Sequence, residues 1–63
     1  MILEKVSELC EKNEISIAKL ERECEIGNGT INRWETSKPS LKSLEKISNF
    51  FKVPISYFFE NQN

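Results

Sequence analysis

Between Ser16 and Lys42 the chain gathers short hydrogen-bonding side chains and cations. The densest run is Gly27-Asn28-Gly29-Thr30, followed by Asn32 and Arg33 and then by Lys38, Ser40 and Lys42. An arginine fork offers paired donors, a carboxamide offers a donor beside an acceptor, and a hydroxyl offers both. None of these groups makes or breaks bonds unaided; together they recognise a surface rich in polar edges. Enzymatic chemistry has no foothold here. The chain has no histidine, no nucleophile set beside a base, no phosphate-cradling loop, and no bulk for a deep pocket. Cys10 and Cys24 do not form a C-x-x-C pair, so neither a metal nor a cofactor is expected. Both cysteines fall at apolar helical positions, which predicts free, buried, reduced thiols and suits a cytoplasmic protein.

Five helical segments must position these residues, giving an all-α fold. Ile2, Val6, Leu9 and Cys10 recur on one helical face and predict a first segment running to about Asn13. Ser16 caps a second, with Ile17, Leu20 and Cys24 inward. Glu25-Ile26-Gly27 is a turn, and a third segment follows from about Asn28 to Glu35 with Ile31 and Trp34 facing the core. Pro39 disfavours helix at Lys38. Ser40 then caps a fourth segment with the stripe Leu41, Leu44, Ile47 and Phe51, ending near Lys52. Val53-Pro54-Ile55 breaks the chain before a short fifth segment carrying Tyr57, Phe58 and Phe59. Ile55 and Phe58 are expected to close the core. Residues 1–60 read as one domain, and 61–63 as a fraying tail.

Sixty-three residues make a thin core, burying only about 60% of the unfolded surface, and such chains often gain support from dimerisation. No apolar run approaches the ~20 residues that cross a bilayer, and Met1-Ile2-Leu3 is broken at once by Glu4, unlike a signal peptide. Net charge is −1, unpromising for an anionic partner, yet the charge is unevenly spread. Residues 1–25 carry four bases and seven acids; residues 26–63 carry five bases and three acids. Local potential, more than the total, steers a polyanion.

Two short helices joined by a tight turn, the second opening on small polar residues, have the spacing of a helix-turn-helix, whose partner is the DNA major groove. Four stretches carry a closer resemblance: Ile15-Ser16…Leu20; Gly27 through Glu35; Lys38-Pro39-Ser40-Leu41…Leu44…Ile47; and Val53-Pro54-Ile55…Phe58. Over residues 2–59 the chain resembles the Cro/repressor-type (Xre-like) helix-turn-helix domains of phage and bacterial regulators. The resemblance implies a lambda-repressor-like five-helix bundle with the helix-turn-helix at helices 2 and 3. It also implies sequence-specific binding of double-stranded DNA, as a homodimer on a palindromic site. From the residues themselves, neither a membrane nor a small-molecule ligand is expected as a partner.

The chain departs from the family pattern at four places. Ile17 stands where the family often has a phosphate-clamping glutamine. Glu21 replaces a small residue, and its carboxylate is expected to snorkel outward. Glu25 replaces the turn glycine, at a cost of about 1 kcal/mol if the backbone stays left-handed. Cys10 replaces an arginine that pairs with the glutamate at position 35, leaving Glu35 to Lys5, Lys38, a backbone amide or water.

Arg33 faces outward if Ile31 and Trp34 face in, and its fork can hold guanine O6 and N7; otherwise it holds a phosphate or only water. Asn28 can read adenine, or serve as an N-cap with the same side chain. Gly29 permits close approach of the backbone to the bases, at a helix-propensity cost of about 1 kcal/mol. Asn32 completes the base-contact set Asn28, Gly29, Asn32 and Arg33. Phosphate contacts are expected from Ser16, Thr30, Lys38, Ser40 and Lys42, although Ser16 and Ser40 also cap helices. Trp34 is expected in the core. Three consecutive aromatics cannot all enter one core, so Tyr57 and Phe59 are the expected dimer contacts, with Phe50 as a further candidate. A protein-interaction module remains the rival reading, docking through the acidic face Glu8, Glu11, Glu21 and Glu25 or through the C-terminal aromatics.

Overall fold

Helix α1 spans Ile2–Lys12 and buries Val6, Leu9 and Cys10. Its charges suit the helix dipole, with Glu4 in the first turn and Lys12 in the last. This computed structural model describes residues 1–60; the expected fraying tail, 61–63, lies outside the described residues. Helix α2, Ile17–Glu23, starts where the Ser16 hydroxyl accepts the Lys19 amide at 3.0 Å. It ends through Cys24 and a left-handed Glu25 at φ 57°, so the turn keeps the backbone a glycine would favour. Helix α3, Leu41–Phe51, repeats the serine cap: Ser40 Oγ accepts the Ser43 amide at 3.1 Å. Lys52 closes it at φ 59°.

The two remaining segments, Ile31–Glu35 and Ile55–Phe59, are 3-10 helices. The five-helix expectation is therefore corrected: among the described residues there are three α-helices and two 3-10 segments, with no strand. The reason is length. Each segment is only five residues long, which cannot repay the nucleation cost of an α-helix, whereas 3-10 geometry suits short pieces.

All five elements meet in one core. Val6 from α1, Leu20 from α2, Ile31 from the first 3-10 segment, and Leu44 and Ile47 from α3 are fully buried. Trp34 lies in the core as expected, and Phe58 closes it with Ile55 packed alongside. Ile17, lacking the polar reach of a glutamine, packs against the same cluster. Leu41 departs from its expected stripe: it is 61% exposed, because side chains in the first turn project toward the N-terminus, here beyond the edge of the core. Lys5 is buried with its ammonium 4.9 Å from the centre of the Tyr57 ring, a cation–π contact that seats the C-terminal segment on α1.

Candidate nucleic-acid interface

The 3-10 segment Ile31–Glu35, a candidate for reading DNA, is built from its buried side outward. A 3-10 helix has three residues per turn, so side chains three apart eclipse one another. Ile31 and Trp34 therefore share the inward edge, and both are buried. Asn32 and Arg33 occupy the other two edges and are exposed. Thr30 stands one turn below Arg33, and its carbonyl accepts the Arg33 amide at 3.1 Å. An α-helix would rotate this pair apart; the 3-10 geometry stacks it.

The loop leading in corrects two expectations. Asn28 through Thr30 form a turn rather than the start of a helix, and Gly29 sits at φ 84°. Its conformation is the left-handed one that glycine adopts without strain, so the helix-propensity cost does not apply. A Cβ placed on Gly29 would meet nothing within 4 Å, so the backbone there is open to a large partner. The segment begins at Ile31, with Thr30 at its N-cap position, not at Asn28. Asn28 therefore does not act as an N-cap, and its exposed side chain makes no hydrogen bond among the described residues.

Glu21 does what Asn28 does not. It is buried, with 3% exposure, instead of snorkelling outward. One carboxylate oxygen accepts the Gly29 amide at 3.0 Å and the other accepts the Ile31 amide at 2.9 Å. Hydrogen bonds to an ionised acceptor are the strong kind, and they offset the burial of the charge. The sequence offered little warning, because a glutamate beside Leu20 on an amphipathic helix normally marks the solvent side. The one usable signal was the substitution itself, a long acid at a position that the resemblance reserves for a small residue. The end of α2 is tied down as well: Lys46 Nζ donates to the Glu25 carbonyl at 3.4 Å, and Cys24 Sγ donates to the Lys46 carbonyl at 3.8 Å.

Ser16, Lys38, Ser40 and Lys42 are exposed, and Thr30 is half-buried. Ser16 and Ser40 carry out their capping role. Electrostatics separates these helix ends from that of α1. Neither α2 nor α3 has an acid in its first turn; each has a lysine there, Lys19 and Lys42 respectively. A cation at a helix N-terminus opposes the dipole, so both ends are left strongly positive and suited to an anion.

The other expected sites fall as follows. Phe59 and Phe50 are 59% and 41% exposed. Tyr57 is half-buried, covered by Lys5 and set edge-on to Phe58. Glu35 is exposed and borders an open groove with Glu4, Glu8 and Glu11, alongside Met1, Leu3 and Ser7. It gains no ion pair among the described residues and stays solvated. Glu21 does not belong to any acidic docking face, being buried. Cys10 and Cys24 are free and buried. Burial pushes both thiols up. The neighbouring Cys24 adds to the effect at Cys10, while at Cys24 the Lys46 ammonium opposes it and Glu23 adds to it.

No described helix is long and apolar enough to cross a membrane. No curated protein and no solved structure gives a significant match. A family model described as helix-turn-helix matches residues 6–58, from α1 to the second 3-10 segment. The match takes in α2, its turn, the braced loop and the exposed polar run, and so the chain belongs to the Cro/repressor-type (Xre-like) helix-turn-helix family of DNA-binding domains.

Proposed function

We propose that the domain is a phage-like transcriptional repressor that binds double-stranded DNA sequence-specifically, as a homodimer on a palindromic site. The observation that carries this reading is the reading segment itself. Asn28, Asn32 and Arg33 are exposed, while the backbone that bears them is held from beneath by Ile31, Trp34 and Glu21. In the major groove Arg33 takes guanine O6 and N7, Asn28 and Asn32 read neighbouring edges, and Gly29 lets the backbone come close. Ser16, Thr30, Lys38, Ser40 and Lys42 hold phosphates on either side. Phe59, with Tyr57, forms the contact between protomers whose reading segments sit about 34 Å apart.

Selection of duplexes from a random pool tests this reading, followed by titration of the enriched duplex at several salt concentrations. A defined palindrome and a steep decline of log affinity with log salt are expected. Enrichment of no sequence, or a flat salt dependence, overturns the proposal.

A second reading has its own observation. The groove bordered by Glu4, Glu8, Glu11 and Glu35 offers an acidic surface to a protein partner, as in an antitoxin-like or co-regulator module. Sedimentation with candidate partners at high salt discriminates, since phosphate binding fades there while a packed protein contact persists.

A further inference from the structure

We propose that Glu21, which touches no base, is the positioning residue that sets base selectivity. By holding the amides of Gly29 and Ile31 it orients Asn28 through Arg33. The inference rests on the reading of that segment as the DNA-reading element.

Two kinds of contact fix the segment on the body of the domain. Ile31 and Trp34 pack into the core, which sets depth but little direction, because apolar contact is non-directional. The Glu21 hydrogen bonds supply direction. They are tertiary contacts, eight and ten residues apart along the chain. Of the backbone bonds nearby, that from the Thr30 amide to the Gly27 carbonyl is internal to the turn, and that from the Ile26 amide to the Glu21 carbonyl holds the chain to α2 only before the loop begins; neither ties residues 28–33 to α2. Base readout tolerates displacements of only about 0.5 Å, so the element that sets orientation also sets selectivity.

Chemistry at the site is equally demanding. Both oxygens accept, as an ionised carboxylate does. A glutamine keeps the shape but turns one acceptor into a donor facing an amide N–H. An aspartate is one methylene short. Charge alone would act in the opposite direction. A carboxylate beside a DNA-binding surface repels phosphate, so removing it should strengthen binding to every duplex unless it also serves geometry. Positioning and charge therefore predict opposite signs on the preferred site.

The test compares the wild-type domain, Glu21→Gln and Glu23→Gln on two probes: the duplex enriched by the wild type, and a scrambled duplex of the same composition. Glu23 is an exposed acid on the same helix and controls for charge. Glu21→Gln should lower the preferred-to-scrambled affinity ratio on the order of tenfold, with scrambled binding held or raised. Glu23→Gln should raise both affinities alike and leave the ratio intact. An unchanged ratio in Glu21→Gln, or an equal fall on both duplexes, overturns the proposal. If Glu21→Gln does not fold, amide hydrogen exchange on the wild type decides. Gly29 and Ile31 should stay protected in the specific complex, and loss of that protection on binding overturns the proposal. A wild type that enriches no duplex would instead overturn the reading of the segment, whereas a selective wild type with an intact Glu21→Gln ratio removes only the role of Glu21.

Discussion

The two ends of the 3-10 reading segment face opposite electrostatic worlds. Ahead of it lie Asn28 and Thr30, and at its middle Arg33, with the lysine-bearing N-termini of α2 and α3 elsewhere on the surface. At its end Glu35 joins Glu4, Glu8 and Glu11 around an open groove on α1. Helix α1 satisfies its own dipole with Glu4 and Lys12; α2 and α3 carry no acid in their first turns, which leaves those N-termini uncompensated. The contrast teaches that a net charge of −1 is a poor guide here. Four acids, Glu4, Glu8, Glu11 and Glu35, border the α1 groove, and Glu21 is folded inward as structure. Residues 28–33 themselves carry no acid, and their one charge is that of Arg33.

The largest expected break in this contrast comes from beneath it. Trp34→Ala removes a buried aromatic shared by the reading segment and the core, and should cost about 3–5 kcal/mol of stability. That would unfold much of so small a domain, as circular dichroism and thermal melts would show. Arg33→Ala leaves the fold intact and should cost about 1–3 kcal/mol on the preferred duplex alone. A uniform loss over all sequences would make Arg33 a phosphate contact instead. Lys42→Gln and Lys38→Gln should each weaken binding evenly across sequences and reduce the log–log salt slope by roughly 1; an unchanged slope removes either lysine from the interface. Glu8→Gln with Glu11→Gln, on the far side, should leave the selected sequence unchanged and raise affinity only slightly at low salt.

A smaller prediction concerns the thiols. Their raised pKa values deplete the thiolate at neutral and mildly alkaline pH. Alkylation of the native protein should therefore be slow and should accelerate on unfolding. Because the folded values lie above those of the free thiol, the stability they contribute is complete at neutral pH. It is lost as pH rises from the free-thiol range through the folded values. Fast alkylation of folded protein at neutral pH would show that Cys10 or Cys24 is accessible.

Much of the architecture was legible in the chain. Serine before an apolar run located both caps, Ser16 and Ser40, because a hydroxyl at that place satisfies an otherwise unpaired amide. The spacing of Ile31 and Trp34 identified the buried edge of the reading segment, since a separation of three is inward in either helix type. That ambiguity also hid the 3-10 geometry, for five residues are too few to show a period. Leu41 misled because hydropathy counts residue type and not the direction of the first-turn Cβ. The candidate site was legible as a set of exposed polar groups, but its support was not. Glu21 acts through backbone amides eight and ten positions away, and amides carry no sequence signature. Gly29 looked like a gap made for DNA; its φ of 84° shows a conformational reason as well.

The contrast between the two ends is tested most directly by amide chemical shifts of the 15N-labelled domain titrated with its selected duplex. Perturbation should concentrate at residues 28–33, at 38–42 and around Ser16, with Glu4, Glu8 and Glu11 unmoved. Perturbation centred on the α1 groove, with the 28–33 amides silent, would contradict the assignment of DNA reading to this segment.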